Sequence, residues 1–481
     1  MIAPTRDRPD LSRPHPNAQQ SEDFGIVLRE FYPPEMSNER CVAYSDGTLE
    51  RPIETLQRAY EETADQRRAI RANSVVVHWF KSDLRLHDNR ALQMAYQAAK
   101  EHNIPLLGLY ILSPQDLTAH LLSPARRIVD LCQQWGANHL YANLEYEVDE
   151  LRREAKLVRL CAKNGIKFET AHDACVVPPG QVASQQGRQY AVYSPWYRVW
   201  LAYLKKNPDC LELSEELGLN PGDARKQFKE LSDSEVPAAL ENKQLSEEKK
   251  HLGRLYPAGE HEALRRLEAF LEEKVKDYAE ARNMVCGQTT SILRPYFASG
   301  LLSARTAVEY ARRANKGSLQ HGDPGLVGWI SEVVWREFYK HVLVHWPFIC
   351  MNKCLKPEFT NLEWEYDEDK FNAWCEGKTG FPIVDAAMRQ IKQDKWMHNR
   401  TRMVVASFLS KDLLIDWRRG ERYVLHGESH RRGFCVQPWR SERFDPDGEY
   451  IGKWVPELRE IKGQSLRNIA ESKMARKNLG S

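Results

Sequence analysis

One stretch of the sequence, GLVGWISEVVWREFYKHV, places charged and aromatic residues on the same side of a predicted helix. Trp329, Glu332 and Arg336 are spaced i, i+3 and i+7, which puts an indole, a carboxylate and a guanidinium on one stripe, with Trp335 beside them. A stripe that packs into an apolar core would not carry these charges. The pattern therefore fits a polar pocket, although an amphipathic helix with a solvated Glu–Arg pair explains it equally well.

A second stretch, QDKWMHNRTRM, gathers polar side chains around Trp396. Asn399 and Arg402 lie three residues apart on one predicted helical face, where an amide and a guanidinium could contact a planar heteroaromatic ring and a phosphate. His398 precedes them, and Arg400 points elsewhere on the helix. A capped helix junction is the plainer interpretation of the same residues.

A third stretch, GQTTSILRPYFASG, offers three hydroxyl groups, those of Thr289, Thr290 and Ser291, just before a predicted helix. The free N–H groups and the dipole at the start of a helix favour a phosphate. Serine and threonine at this position are more often simple caps.

The elements that position these residues fall into two classes. Short apolar runs at 74–80, 104–112, 138–147 and 167–177 alternate with helical stretches, which predicts a parallel sheet covered on both faces. No GxGxxG follows the first run, so the expected fold is a Rossmann-like α/β domain without that fingerprint, followed by an all-helical domain. The predicted divisions are an N-terminal extension 1–73 ending in an exposed helix, an α/β domain 74–205, a linker 206–257, a helical domain 258–472 and a tail 473–481.

The composition excludes several classes of protein. With 42% hydrophobic residues and a net charge of 69 − 67 = +2, the chain is neither wholly disordered nor strongly acidic. No apolar run reaches the roughly 18 residues of a membrane helix, so we expect no membrane association. The ten cysteines form no CxxC pair, which argues against a disulfide scaffold or a zinc ribbon, and we expect no metal site.

Longer strings resemble a known family. WFKSDLRLHDNRAL, TTSILRPYFASGLLSARTA, WISEVVWREFYKH, the stretch from EGKTGFPIVD to WRRGERY, and SERFDPDGEYIGKWVPELR follow each other in the order typical of the photolyase/cryptochrome family. The chain is most similar to the fungal cyclobutane-pyrimidine-dimer DNA photolyases of that family, over residues 74 to 460.

The resemblance implies an antenna domain, a linker and a helical domain that holds FAD. It also implies light-driven repair, in which reduced FAD passes an electron to a pyrimidine dimer flipped out of the duplex. The implied partner is UV-damaged DNA, bound by a monomer in the nucleus, with the mitochondrion as an alternative location. A second, antenna chromophore is expected, and the resemblance favours methenyltetrahydrofolate over a deazaflavin.

Site residues follow from the resemblance by position. On the lesion side are Glu332, Trp335 and Met403, and Trp364 and Trp417 resemble the outer and middle members of the tryptophan chain that photoreduces the flavin. The expected flavin contacts are Tyr278, Thr290, Ser291, Ile292, Leu293, Arg294, Trp329, Arg336, Asn399 and Arg402; the expected DNA contacts are Arg282, Asn399 and Arg400; the expected antenna contacts are Asp149 and Glu150.

The sequence departs from the family pattern after RRGERY. There it continues VLHGESHRRGFCVQPWR, a shorter stretch that lacks the expected acidic and amide contacts to the flavin, the innermost tryptophan and a second aromatic wall. Having no apolar period, this stretch predicts a loop. Arg294 also stands where a hydroxyl-bearing residue is usual.

Two other functions remain open from the sequence alone. One is a cryptochrome-like blue-light receptor; the other is a shortened photolyase product that lacks part of the flavin site and has lost activity. Bound flavin together with repair indicates the photolyase, flavin without repair indicates the receptor, and a colourless protein indicates the shortened product.

Overall fold

The computed structural model describes residues 36–111, 124–232, 246–287, 289–356, 359, 362–427 and 444–460. Among these residues, no helix is both long enough and apolar enough to cross a lipid bilayer. The elements, in chain order, are α1 (Asn38–Asp46), α2 (Pro52–Glu62), α3 (Ala64–Ala69), β1 (Val76–Phe80), α4 (Arg90–His102), β2 (Leu106–Tyr110), α5 (Pro124–Trp135), β3 (His139–Asn143), α6 (Val148–Lys163), β4 (Lys167–Ala171), α7 (Tyr193–Lys206), α8 (Ala224–Gln227), α9 (Lys229–Ser232), α10 (Ser246–Leu255), α11 (Glu260–Ala269), α12 (Tyr278–Ala281), α13 (Arg294–Ala298), α14 (Ala304–Ala314), α15 (Pro324–His345), α16 (Glu368–Glu376), α17 (Pro382–Asp394), α18 (Asn399–Ser407), α19 (Trp417–Gly427) and α20 (Glu449–Trp454).

The four strands form one parallel sheet in the order β2-β1-β3-β4, as the alternating pattern predicts. Each strand spans five residues, fewer than the corresponding apolar runs of the sequence. The central strands β1 and β3 are almost entirely buried because helices cover both faces of the sheet. The predicted α/β domain followed by a helical domain is therefore confirmed.

Side chains fill the crevice between β1 and β3, where the strand order reverses. Asn143, at the end of β3, donates from Nδ2 to Asp83 Oδ2 at 2.7 Å and to Asn89 Oδ1 at 2.7 Å. Asn89 also caps α4 by accepting from Leu92 N–H at 3.1 Å. All three of these polar side chains are buried, and each satisfies the others.

The N-terminal helices pack against the α/β domain, so the prediction of an exposed helix before residue 73 is wrong. Leu56 and Ala59 of α2 are buried among the helices and strands of this domain. The hydroxyl of Tyr60 forms a 2.8 Å hydrogen bond with Thr170 in β4, and Arg67 pairs with Glu169 at 2.7 Å. The helical spacing of the apolar residues was visible in the sequence, but the surface that covers them was not.

The helical domain is organised around α15, the longest helix among the described residues. Asp323 caps this helix by accepting from the N–H groups of Gly325 and Leu326, at 2.8 and 3.1 Å. Gly325 lies so close to the carbonyl oxygen of Val275 that a Cβ atom would overlap it. Glycine at this position therefore allows α15 to approach the turn that precedes α12.

A buried ionic network joins the two domains. Arg305 of α14 donates to Asp88 Oδ1 at 2.6 Å and to Asp173 Oδ1 at 3.0 Å, and Arg85 also pairs with Asp173. The hydroxyl of Thr306 donates to the second oxygen of Asp88 at 2.8 Å. These charged side chains are at most 6% exposed, so the contact between the domains is both buried and polar.

Candidate functional site

Trp329 is buried in the helical domain. Its side chain is 3% exposed, its ring packs 5.5 Å from that of Phe270, and its indole N–H donates to Ser291 Oγ at 3.3 Å. The helical stripe and the hydroxyl-rich loop, which are 38 residues apart in the sequence, therefore meet here. The sequence predicts that both residues contact the same ligand, and the structure brings them together.

The loop before α13 holds an unusual backbone conformation. Ile292 has φ +49°, in the left-handed region that β-branched side chains rarely adopt. Leu293 is 1% exposed, so its side chain belongs to the core and only its backbone can face a ligand. Thr290 precedes this pair, and Arg294 begins α13. The loop thus presents backbone and hydroxyl groups where the sequence predicts the flavin phosphates.

Glu332 forms an ion pair with Arg282 of the segment after α12, with Nη1 and Oε1 3.2 Å apart. The two side chains are 40% and 33% exposed, so the pair sits at the rim of the domain. Burial raises the pKa of Tyr278, and the charge of Glu332 adds to that rise while Arg282 and Arg400 oppose it. The four side chains are therefore close enough to interact electrostatically.

Arg400 is held on the same side. Its Nε donates to Asn283 Oδ1 at 2.7 Å, and its Nη1 lies 3.8 Å from the Met403 sulfur. Asn283 follows Arg282 directly in the sequence. The two predicted DNA-binding arginines, Arg282 and Arg400, therefore meet at one short segment. Nothing in the sequence pattern singles out Asn283, because only the fold shows that it receives a hydrogen bond from Arg400.

Arg336 does not take part in the ion pair between Arg282 and Glu332, although it shares a predicted helical stripe with Glu332. Its guanidinium donates to the carbonyl oxygens of Ala174 at 3.1 Å and Phe297 at 3.3 Å. Burial lowers the pKa of this guanidinium, partly offset by nearby acidic groups such as Glu337. Arg336 therefore links α15 to two backbone segments, one of them in the α/β domain.

His398 caps α18, where Asn399 and Arg402 are placed. Its Nδ1 accepts from Arg400 N–H at 3.1 Å, so the remaining ring proton is assigned to Nε2. Burial lowers the pKa of His398 to about 4, which keeps the ring neutral at physiological pH. Its Nε2 is buried and has no hydrogen-bond partner among the residues that the structure describes, whereas the neighbouring Asn399 is exposed. A buried N–H without a partner indicates a place for an acceptor.

The segments that carry Trp364 and Trp417 lie side by side in the structure. Residues next to them form a parallel bridge, Glu365 with Ile415, supported by a 2.7 Å hydrogen bond from Glu365 N–H to the Leu414 carbonyl. Both indoles are partly exposed. Other tryptophans of this region differ, because Trp374 and Trp454 are buried in the core, whereas Trp396 is half-buried. Core packing, the usual reason for an isolated tryptophan, therefore accounts for the first two only.

The predicted antenna residues lie in the first turn of α6, and both are half-buried. Helix α1 packs beside this turn, where Tyr44 is fully buried and accepts a 3.0 Å hydrogen bond from Arg152. Val148 contributes to the same small apolar cluster as α1. Asp149 and Glu150 are therefore neighbours of the N-terminal helices, which the sequence did not reveal.

Trp335 stacks on Tyr193 of α7, with ring centroids 3.7 Å apart and planes at 14°. Sequence analysis did not single out Tyr193. The only available signal was the aromatic spacing of YSPWYRVW, which predicts a helix with an aromatic stripe but not what the stripe contacts.

The replacement stretch after Tyr423 lies mostly outside the described residues, as residues 428–443 are not described. Residues 424–427 continue helix α19, so the predicted loop is wrong at these first positions, where the helix runs on past Tyr423. Over residues 428–443 the loop stays a prediction.

The chain matches two family models. One, described as the FAD binding domain of DNA photolyase, matches residues 329–427, and the other, described as DNA photolyase, matches residues 76–127 and 116–214. The first match ends where the sequence begins to depart from the family pattern.

The chain is also similar to curated DNA photolyases and to a solved photolyase structure. The chain is 49% identical to the deoxyribodipyrimidine photo-lyase of Neurospora crassa, over 95% of this chain and 85% of the relative. It is 31% identical to that of Escherichia coli, over 80% of this chain and 90% of the relative. The crystal structure of a bacterial class III photolyase from Agrobacterium tumefaciens superposes with a TM-score of 0.67 and 28% identity, covering 84% of this chain and 90% of that one.

Proposed function

Because this chain belongs to the DNA photolyase family, we propose how its own residues carry out the family's reaction. Its activity is the light-driven splitting of cyclobutane pyrimidine dimers in UV-damaged DNA. FAD, when bound in the helical domain, supplies the electron that light drives into the dimer. The protein must therefore hold the dimer beside the flavin, exclude water and balance the charge that develops on the dimer.

The flavin site is supported by the neutral His398 ring. Its buried Nε2–H, which no described residue accepts from, fits a ligand rich in acceptors, as FAD is, and it lies beside Asn399. The hydroxyl of Ser291, already engaged by Trp329, fits the phosphate side. The proposed flavin contacts are Tyr278, Thr290, Ser291, Ile292, Leu293, Arg294, Trp329, Arg336, Asn399 and Arg402, with Ile292 and Leu293 acting through the backbone.

The Arg282–Glu332 pair carries the proposal for the lesion side. A half-exposed ion pair is easily exchanged, since water screens it and its net contribution to stability is small. A DNA phosphate can therefore take Arg282 from Glu332, which leaves the carboxylate free to accept a hydrogen bond from a base N–H. DNA binding thus prepares Glu332 for the dimer.

The other roles follow from position. Arg400 with Asn399 and Arg282 grips the damaged strand, Met403 lies beneath the dimer, and Trp335 forms a wall for it. Trp364 and Trp417 form the outer part of the route that keeps the flavin reduced.

Asp149 and Glu150 hold the antenna chromophore, for which we propose methenyltetrahydrofolate. We further propose that the protein acts as a monomer in the nucleus and in the mitochondrion, where its substrate is found.

The test uses the full chain purified with its bound chromophores. Visible absorbance reports flavin, and the assay follows blue-light-dependent loss of thymine dimers from an irradiated oligonucleotide. Glu332→Ala is expected to lower the repair yield roughly tenfold, since a charge-assisted hydrogen bond is lost, while the flavin absorbance stays unchanged.

Glu280→Ala is the matched control, because Glu280 is an exposed glutamate on the neighbouring helix α12. It is expected to repair like the wild-type protein. Unchanged repair in Glu332→Ala would remove Glu332 from the proposed role, and a colourless wild-type protein would contradict the flavin site itself.

A further inference from the structure

Helix α7 places a column of aromatic rings behind Trp335. Tyr193 stacks on Trp335 at 3.7 Å, Tyr197 stacks on Tyr193 at 5.3 Å, and Trp200 stacks on Tyr197 at 5.8 Å. The interplanar angles are 14°, 15° and 19°, so the four rings are nearly parallel. Such offset stacks stabilise one relative orientation of the rings beyond the area that they bury.

Hydrogen bonds tie this column to α15 at both ends. The hydroxyl of Tyr193 bonds to Ser331, at 3.1 Å from its carbonyl oxygen and 2.9 Å from its Oγ. At the other end, the indole N–H of Trp200 donates to Glu337 Oε1 at 2.6 Å. Ser331 and Glu337 lie on either side of Trp335 in the sequence, so the column is fixed to the helix that carries this indole.

The aromatic rings of α7 and the neighbouring side chains of α15 therefore fix the orientation of the Trp335 indole. Phe338 meets the indole edge-on at 5.6 Å, and Tyr339, itself 42% exposed, flanks it at 5.7 Å. Tyr193 covers one face of the ring and is only 8% exposed. A nucleobase can stack only on the face that Tyr193 does not cover.

We propose that Tyr193 is a positioning residue for lesion recognition: its ring fixes the plane of Trp335, so that the indole is already oriented for a pair of flipped-out pyrimidines. This role rests on the proposed function of Trp335 as a wall of the lesion site. A fixed ring loses less conformational entropy when the lesion binds, and it favours the rigid, tilted pair of bases in a dimer over a single flexible base. The stacked ring carries this role, and the hydroxyl serves mainly to hold Tyr193 in place.

The first experiment compares two substitutions at this position. Affinity is measured in the dark for an oligonucleotide with one thymine dimer and for the same oligonucleotide without damage. Tyr193→Leu removes the stack and is expected to weaken dimer binding about tenfold, with little change for undamaged DNA. Tyr193→Phe keeps the ring and is expected to bind the dimer within about twofold of the wild-type protein.

Tyr203→Leu, on the same helix but away from Trp335, is the control for a general effect on α7. It is expected to bind both oligonucleotides like the wild-type protein. Dimer affinity that is unchanged in Tyr193→Leu, or equally weak in Tyr193→Phe and Tyr193→Leu, would overturn the role of the stacked ring.

The second experiment needs no DNA and separates this inference from the proposed function. The full chain is labelled with 5-fluorotryptophan, and the ¹⁹F resonance of Trp335 is identified by its loss in Trp335→Phe. Tyr193→Leu is expected to shift and broaden this resonance, and Tyr193→Phe is expected to leave it sharp.

A sharp, unshifted Trp335 resonance in Tyr193→Leu would overturn the positioning role even if the wild-type protein discriminates damaged from undamaged DNA. Equal affinity of the wild-type protein for the two oligonucleotides would instead contradict the lesion site, and with it the purpose assigned to the stack.

Discussion

Two arginine–carboxylate contacts of this protein have the same chemistry and opposite surroundings. At the domain interface, Arg305 is fully buried with Asp88 and Asp173. At the rim of the helical domain, Arg282 and Glu332 are 33% and 40% exposed. The buried contact cannot open without leaving a charge out of water, whereas the exposed one exchanges readily. Burial thus decides which ion pair holds the fold together and which one is available to a ligand.

The electrostatics of Asp88 show how the buried contact is maintained. Burial alone would raise the pKa of this carboxyl, but the charge of Arg305 and the hydroxyl of Ser303 outweigh it and hold the pKa below its ordinary value. The backbone N–H of Ser214, which lies between the two domains in the sequence, donates to the same carboxylate at 3.0 Å. Three separate segments of the chain therefore meet at one ionised side chain.

The largest expected effect comes from breaking the buried network. Arg305→Ala leaves Asp88 and Asp173 with less compensation away from water, and we expect it to lower the free energy of unfolding by about 3–5 kcal/mol. Chemical denaturation followed by circular dichroism measures the change. Arg313→Ala on the same helix removes a 62% exposed partner of Glu309 and should cost less than about 1 kcal/mol. Equal losses in the two variants would contradict the distinction drawn from burial.

Glu337 extends the comparison to a buried carboxyl whose contacts are mostly neutral. It accepts from the N–H groups of Val176 and Val177, at 2.7 and 3.0 Å, and burial raises its pKa to about 7 despite these bonds and the charge of Arg336. The nearby His341 stays neutral, because burial lowers its pKa to about 4.

The sign of the pH dependence follows from this raised pKa. As the pH rises from about 4.5 to 7, the unfolded chain releases the proton of Glu337 while the folded protein keeps it, so the folded state loses up to about 3 kcal/mol of stability. Glu337→Gln is expected to reduce this decline, measured as the urea midpoint at several pH values, whereas Glu280→Gln on the surface should not. A decline in Glu337→Gln as steep as in the wild-type protein would refute the assignment.

The smallest effect on stability, but a clear one on binding, is expected at the rim. Arg282→Ala should change the free energy of unfolding by less than about 1 kcal/mol, because its ion pair is solvated. The same substitution should weaken binding to both damaged and undamaged DNA and lower the slope of log affinity against log salt by about one, as one phosphate contact is lost. An unchanged salt slope would argue against Arg282 as a phosphate contact.

Features that depend on local spacing are predictable from the sequence. The apolar run 74–80 contains β1, and the Trp329 stripe is part of α15, because periodicity indicates which face of an element is buried. The sequence does not predict the stacking of Tyr193 on Trp335, which lies 142 residues further along the chain. Nor does it predict the hydrogen bond from Arg336 to the carbonyl oxygen of Ala174. Such contacts depend on how the domains dock, and no local pattern encodes that.

The loop between β1 and α4 has one further consequence. In doubly wound proteins the turn after the first strand commonly cradles the phosphates of a nucleotide. Here Asp83 and Asn89 close that cradle together with Asn143, while Arg85 and Asp88 of the same loop reach across to the helical domain. The loop thus joins two domains instead of cradling phosphates, and any ligand of the α/β domain would have to displace three mutually hydrogen-bonded side chains to enter the crevice between β1 and β3.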